Sequence, residues 1–231
     1  MAAVPADTAV FYRNLMDGAC WGVQAEVRFP AASLIKVPIM LELFESGIDL
    51  EEPFELQERH RVGGAGVLQE LSNGTRLKLL DLCRLMIVVS DNVASNALLD
   101  RLGFEAVNAR MRALGLTHSR LGRRFMEPAQ GERDNWMSAR DAALCLEAAN
   151  AHPEARAILL RQQYREKIPL MLPEGTEVAH KTGELEGVRH DAGVVAGRYS
   201  LALLTRRGGP SWEVDLALAR LSRAVYDREL A

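Results

Sequence analysis

The order of the predicted secondary-structure elements constrains the fold of this chain more than any other feature. Runs of apolar and aromatic residues typical of β-strands lie at both ends of the sequence, and helical patterns fill the middle. Asp17-Gly18 is a hairpin signal between the first two runs, and Gly197-Arg198 is a turn signal between the last two. Terminal segments of β character usually join in one sheet, so we predict an α+β fold of two lobes with an inserted all-helical lobe. The predicted strands span residues 10–15, 20–29, 177–182, 191–196 and 199–205.

Seven segments carry apolar residues at helical spacing. The segment at 77–89 is nearly all apolar, which predicts a buried central helix. A chain of 231 residues fits one domain at 1–231, with a sheet lobe at about 1–45 and 175–231 and a helical lobe at about 46–174. The predicted helices span residues 34–44, 77–89, 92–102, 105–114, 139–149, 153–164 and 212–230.

The composition argues against several classes of function. The net charge is −3 and the chain has no run of Lys and Arg, which argues against a nucleic-acid partner. No stretch of about 18 apolar residues occurs, so we expect no membrane span. Cys20, Cys83 and Cys145 are too few and too widely spaced for a disulfide framework, and with the five histidines they show no metal-ligand spacing. The first eight residues lack the segments of a secretory signal, so we expect a cytoplasmic protein unless the N-terminus was trimmed.

Ser33 and Lys36 form the string S-x-x-K, where an extended segment at 28–30 gives way to a helix. The lysine lies one turn after the serine, on the same helix face. A serine hydroxyl is a weak nucleophile until a base accepts its proton, and a lysine can be that base if burial lowers its pKa. Taken alone, the string also fits a serine N-cap followed by an exposed lysine.

Two more strings follow later in the chain. Residues 90–92 read S-D-N directly after the apolar helix, and residues 181–183 read K-T-G at the end of a predicted strand. A strand edge beside the nucleophile can pair with an extended acyl substrate, and Gly183 has no side chain to block it. Lys181 and Thr182 can bind a carboxylate. Alone, either string also fits a helix cap or a turn.

The three strings together, in this order, resemble the motif set of class A β-lactamases and penicillin-binding proteins. The chain is similar to these active-site-serine enzymes over nearly its whole length, and the class A β-lactamase branch is nearest. The resemblance implies an antiparallel sheet flanked by helices, with the active site in the groove beside a helical lobe. It also implies that Asp91 points inward and holds the turn that it begins.

The resemblance gives each remaining position of the strings an expected role. Ser33 is the nucleophile, and Lys36 accepts its proton. Ser90 passes a proton to the leaving group, and Asn92 orients Lys36 and the substrate amide. The backbone N–H groups of Ser33 and Glu184 form the oxyanion hole. No metal or organic cofactor is implied.

Glu127-Pro128 resembles the glutamate loop that activates the deacylating water in class A β-lactamases. We therefore expect Glu127 to be the general base for deacylation, with a solvated loop acid as the alternative. The family continues with an asparagine that helps to hold the water, but this chain has Gly131 at that position and a shortened loop. Asn135 and Gln130 are candidates to replace it.

The segment after Gly183 is unusual because it places Glu184 and Glu186 beside a lysine expected to bind a carboxylate. Two acids there repel an anionic substrate unless a cation offsets them. We expect Arg189 to offset them. The resemblance also implies that Arg189 is the extra positive charge that the family places near this strand, free to bind the substrate. We also expect His190-Asp191 to be a hydrogen-bonded pair that supports the loop.

The sequence therefore predicts a serine hydrolase that opens β-lactam rings through an acyl-enzyme. One alternative is a D-alanyl-D-alanine peptidase or esterase with weak β-lactamase turnover, because the missing asparagine slows deacylation. A second is a non-catalytic protein that binds β-lactams or peptidoglycan fragments, which the Ser33/Lys36 pair argues against. In each case the partner is a small molecule, either a β-lactam or a D-alanyl peptide; the oligomeric state is left open.

Overall fold

The computed structural model describes residues 4–129, 131 and 133–230. Five strands form one sheet in the order β2-β1-β9-β8-β7, and every neighbouring pair is antiparallel. Two short pairs, β3 with β6 and β4 with β5, lie outside it. The strands are β1 (Asp7–Asn14), β2 (Cys20–Val23), β3 (Phe29–Pro30), β4 (Pro53–Glu55), β5 (Arg76–Lys78), β6 (Trp136–Met137), β7 (Val178–Leu185), β8 (Val188–Val195) and β9 (Tyr199–Arg206).

The two ends of the chain meet in the middle of this sheet. β1 pairs with β9 along its whole length, from Asp7 opposite Arg206 to Asn14 opposite Tyr199. The predicted α+β fold, with terminal strands joined and helices between them, is therefore confirmed.

Helices cover both faces of the sheet. Successive side chains of a strand point to opposite faces, and apolar residues stand at both sets of positions, so each face must be covered. On β1, Ala9 and Phe11 lie in the larger core, which contains the helices that follow β3. Val10 and Tyr12 lie in the smaller core, against the last helix. The helices are α1 (Lys36–Glu45), α2 (Leu79–Val88), α3 (Asn92–Leu102), α4 (Phe104–Ala113), α5 (Ala139–Ala151), α6 (Pro153–Leu159) and α7 (Ser211–Leu230).

The layers are formed by α5 and α7 on opposite sides of the sheet, with the remaining helices beside it. α5 packs against β1, β8 and β9, although its residues fall in the range assigned to the helical lobe. α2 is the buried helix that the apolar pattern predicted: six of its ten residues are buried, and Asp81 and Arg84 form an ion pair on its partly exposed side. None of the helices in the described ranges is both long and apolar enough to cross a membrane.

Several element boundaries differ from the predicted ones for local reasons. β2 ends at Val23 because Gln24 adopts a left-handed backbone with φ +50°. α2 begins at Leu79 because Leu77 and Lys78 pair with β4 instead. β7 continues through the K-T-G string to Leu185, so the string lies inside a strand and not at its end.

Candidate active site

Ser33 lies in a short 3-10 turn at Ala32–Ile35, between β3 and α1. The pairing of β3 with β6 and a 2.8 Å hydrogen bond from the Ala31 N–H to the Asn135 carbonyl fix the start of this turn. Ala32 has φ +45°, so the chain turns sharply just before the serine. Ser33 thereby lines a cavity of about 420 Å³.

Lys36, Ser90 and Lys181 form one buried cluster next to this turn. Lys36 Nζ donates to the Ser90 carbonyl at 2.6 Å and to Asn92 Oδ1 at 2.8 Å, and it lies 3.1 Å from Ser90 Oγ. Lys181 Nζ lies 3.1 Å from the same Oγ. Ser90 has φ +56°, and this left-handed backbone directs both its carbonyl and its hydroxyl to the lysines. A single hydroxyl therefore joins two lysine amines from different elements.

Both lysines have strongly lowered pKa values, and the main cause is burial. Burial and the nearby charge of Lys181 lower the pKa of Lys36 well below its usual range, and the charge of Asp91 opposes this only in part. Burial lowers the pKa of Lys181 to about 7, although the charge of Asp191 acts in the opposite direction. At neutral pH the cluster can therefore hold an uncharged amine, which is the form that accepts a proton.

Asp91 lies at the turn between α2 and α3 and points inward. Its Oδ1 accepts from the Ala94 N–H at 2.9 Å, which caps α3, and its Oδ2 accepts from the Val67 and Leu68 N–H groups at 2.6 and 2.8 Å. A Cβ on Gly66 would lie 2.3 Å from the Asp91 carboxyl carbon, so only glycine fits there. Asp91 thus holds the loop that forms one wall of the cavity.

The K-T-G string brings strand β7 against the serine turn. A Cβ on Gly183 would lie 3.2 Å from the Ser33 backbone nitrogen and 3.2 Å from Ala32 Cβ. β7 is an edge strand of the sheet, so alternate N–H and C=O groups of its backbone point away from β8 and are not paired within the sheet. The geometry places Glu184, the next residue, on the cavity wall with Ser33.

Arg189 does not offer a free positive charge, contrary to expectation. Its guanidinium binds Asp215 on α7, with Nε 2.8 Å from Oδ1, and it contacts Glu184 Oε2 at 2.8 Å. The sequence reasoning missed Lys167, which is fully buried and donates to Glu184 Oε1 at 2.8 Å. Glu184 therefore neutralises both cations, and Arg189 holds the β7–β8 end of the sheet to α7.

His190 and Asp191 do not pair with each other, because neighbouring residues of a strand point to opposite faces. Asp191 instead binds His180 Nδ1 at 2.9 Å. His190 Nδ1 accepts from the Thr205 N–H at 3.0 Å, so its Nε2–H donates to the Pro30 carbonyl at 2.8 Å. Burial lowers the pKa of His190 to about 4, which keeps the ring neutral. The ring thereby holds the segment before Ser33 on the sheet.

The loop that carries Glu127 closes the other side of the cavity. An ion pair of 2.6 Å between Arg123 Nε and Asp134 Oδ1 joins its two ends. Asn135 lines the cavity, and its Oδ1 accepts from the N–H groups of Gly122 and Arg123 at 2.8 and 3.1 Å. Glu127 also lines the cavity and is exposed.

Ser33 from the first string, Asn92 from the second and Glu127 line one cavity, and so does Glu184, the residue after the K-T-G string. Lys36, Ser90 and Lys181 are buried next to the Ser33 turn, and Arg189 does not line the cavity. Gln130 lies outside the described residues. Sequence reasoning missed Phe125, whose ring centroid lies 4.7 Å from Lys36 Nζ. Among the described residues, no group of three His, Cys, Asp or Glu side chains could hold a metal ion.

Comparisons with known proteins agree with this geometry. Residues 1–228 match the sequence model described as a beta-lactamase enzyme family. A beta-lactamase from Sphaerobacter thermophilus DSM 20745 has a TM-score of 0.90 at 30% identity, over 98% of this chain and 92% of that chain. No curated protein sequence matches the chain significantly.

Two further solved structures extend the comparison. PBP-A has a TM-score of 0.88 at 28% identity, over 97% of this chain and 90% of that chain. A point mutant of PBP-A is known as an acyl-enzyme complex with penicillin G. An ancestral class A beta-lactamase has a TM-score of 0.86 at 20% identity, over 97% of this chain and 95% of that chain, which shows a shared fold.

Proposed function

Because this chain belongs to the beta-lactamase enzyme family, we propose that it hydrolyses β-lactam rings through a covalent acyl-enzyme on Ser33. The family and the fold support a serine β-lactamase-like hydrolase. The observation that carries the finer proposal is the buried cluster in which Lys36 and Lys181 share the Ser90 hydroxyl beside the Ser33 turn.

In the acylation step, neutral Lys36 accepts the proton of Ser33 Oγ while that oxygen attacks the lactam carbonyl carbon. The oxyanion that forms is bound by the N–H groups of Ser33 and Glu184, which the close approach of β7 supports. The C–N bond of the ring then breaks, and the ring nitrogen takes a proton from Ser90. Ser90 regains a proton from one of its two lysines, so the electrons and protons balance.

In the deacylation step, a water molecule attacks the ester carbonyl and Glu127 accepts its proton. The ester bond to Ser33 then breaks, the Ser33 oxygen takes back the proton that Glu127 accepted, and the product is the ring-opened acid. Lys181 and Thr182, which precede the cavity-lining Glu184 on β7, bind the substrate carboxylate, because Lys181 keeps part of its charge near pH 7. Arg189 takes no part in this binding, since it is bound to Glu184 and Asp215.

A second candidate function is a D-alanyl-D-alanine peptidase-like enzyme with slow release of the acyl group. Two observations favour it: Glu127 is exposed, with its carboxylate 3.3 Å from the Arg124 N–H, and Gly131 stands where the family has an asparagine. The 28% identity to PBP-A is consistent with this candidate.

The test is a time course with a chromogenic cephalosporin, followed in parallel by intact-mass spectrometry. We expect wild type to turn over steadily, Ser33→Ala to form no adduct, and Glu127→Ala to accumulate an adduct on Ser33. Glu174→Ala is the matched control, because Glu174 is an exposed acid before the opposite end of β7. A stoichiometric burst that stops in wild type would favour the peptidase-like function. The absence of both turnover and any adduct, in wild type and in Glu127→Ala, would overturn both.

A further inference from the structure

Asp100, near the end of α3, binds groups from two separate loops. Its Oδ2 accepts from Arg59 Nε at 3.2 Å and from His60 Nε2 at 3.1 Å, and its Oδ1 accepts from the Arg124 guanidinium. Its side chain is only 19% exposed. Burial raises the pKa of Asp100, but the hydrogen bonds from Arg124 and Arg59 outweigh it and hold the pKa below its usual value. The carboxylate is therefore charged and shared by three donors.

The two loops that meet at Asp100 form facing walls of the catalytic cavity. The first continues from His60 to Gly64 and Ala65, and the second continues from Arg124 to Glu127; the later residues of both line the cavity. The two walls are also close to each other, since a Cβ on Gly64 would lie 3.1 Å from the sulfur of Met126. A change in the contact of either loop with Asp100 therefore changes the width of the cavity.

The first loop is fixed to Asp100 through a single histidine tautomer. His60 is buried, and its Nδ1 accepts from the Gln57 N–H at 2.9 Å. Its remaining hydrogen is therefore on Nε2, where it points to Asp100. Arg59, whose side chain is 62% exposed, adds a weaker surface contact.

The second loop is fixed to the same face of α3 at two positions one turn apart. Asn96, one turn before Asp100, accepts from the Phe125 N–H at 2.9 Å and donates to the Phe125 carbonyl at 3.3 Å. Asp100 binds the side chain of Arg124, and the Arg124 N–H donates to the Glu127 carboxylate at 3.3 Å. A path of polar contacts thus runs from His60 through Asp100 and Arg124 to Glu127.

We propose that Asp100 is a positioning residue that sets the spacing of the two cavity walls and holds Glu127 in place for deacylation. The inference rests on the proposed function only for the deacylation step. Asn96 alone cannot supply this role, because its hydrogen bonds with the described residues of the two walls reach only Phe125 of the second. Asp100 binds both, so its loss releases both at once.

The experiment compares wild type, Asp100→Asn, Arg124→Met and the control Glu52→Gln. Glu52 forms a two-contact ion pair with Arg101, the neighbour of Asp100 on α3, at 2.9 and 2.8 Å. It is not among the described residues that line the cavity. Hydrogen exchange of the backbone is measured by mass spectrometry for each variant. We expect faster exchange at residues 57–66 and 123–129 in Asp100→Asn, at 123–129 alone in Arg124→Met, and at neither segment in Glu52→Gln.

The kinetic readout separates acylation from deacylation with a penicillin. Misplacement by about 1 Å costs on the order of 100-fold, so we expect deacylation by Asp100→Asn to slow by about 10- to 100-fold while the acylation rate changes by less than about threefold. Equal slowing of both steps, or unchanged exchange at either segment, would refute the positioning role. If wild type neither turns over the penicillin nor forms an adduct, the proposed function fails and so does the deacylation role, while the exchange data still decide whether Asp100 couples the walls.

Discussion

Replacing Lys181 by methionine is expected to remove a specific part of the pH dependence of stability. Methionine keeps most of the apolar volume of the lysine side chain and removes its charge. In the folded protein, burial lowers the pKa of Lys181 to about 7, while its ordinary value is near 10.5. The unfolded chain therefore holds one more proton at this residue than the folded protein does over that interval.

The sign and the size follow from proton linkage. The free energy of unfolding rises with pH wherever the unfolded state binds more protons, by about 1.4 kcal/mol per pH unit for one proton. Between pH 7 and pH 9, Lys181 therefore adds on the order of 2–3 kcal/mol to the stability of wild type. Below about pH 6, Lys181 is charged in both the folded and the unfolded state, so it does not change the free energy of unfolding with pH. Lys36 acts in the same direction, because its pKa is lowered as well.

Urea unfolding of wild type and Lys181→Met at pH 6, 7, 8 and 9 measures this contribution. We expect the free energies of unfolding to diverge from pH 7 upward, with wild type gaining relative to the variant. Lys78→Met is the matched control, because Lys78 is exposed and paired with Glu51, and its curve should run parallel to that of wild type. Parallel curves for wild type and Lys181→Met over pH 7–9 would refute a lowered pKa at this lysine.

Two further predictions concern side chains around the cavity. Gly66→Ala places a methyl group against Asp91 at a residue with φ +110°. We therefore expect the free energy of unfolding, measured by heat or urea, to fall by about 2 kcal/mol or more. An unchanged free energy of unfolding would show that the loop relaxes. Arg189→Ala breaks the ion pairs with Glu184 and Asp215. We therefore expect the free energy of unfolding to fall by about 1–3 kcal/mol. The KM for anionic penicillins should change by less than about threefold, because Arg189 does not bind the substrate. A large rise in KM with unchanged stability would return Arg189 to the substrate-binding role that the resemblance implied.

Much of the fold was predictable because alternation and helical spacing are local signals. The strands of the sheet and the buried α2 follow directly from the apolar pattern. The end of β2 was missed because it depends on the left-handed backbone of Gln24. Glutamine rarely adopts this conformation, so the residue type gave no indication of it. The start of α2 was missed because pairing of Leu77 with Phe54 of β4 overrides its helical pattern.

The residues of the site could be predicted where they belong to short sequence motifs. They could not be predicted where they depend on contacts between residues that are distant in the sequence. The spacing of Ser33 and Lys36 is a local signal. The binding of Arg189 by Asp215 joins residues 26 positions apart, and Lys167 reaches Glu184 over 17 positions. No pattern along the chain indicates such ion pairs, because they depend on how α7 and the segment before β7 pack on the sheet.

The pairing of β1 with β9 has a consequence for how the chain is made. β1 ends at Asn14, and its partner strand begins only at Tyr199. A ribosome adds about 5–20 residues per second, so the first hairpin waits roughly 10–40 s before its neighbour in the sheet exists. During that time one edge of β1 is open to pairing with another nascent chain. The contacts that complete the sheet are also among the most distant in sequence, which slows their formation after release. We therefore expect the yield of native protein to depend on synthesis rate and on chaperones that cover this edge, more than on the stability of the finished fold.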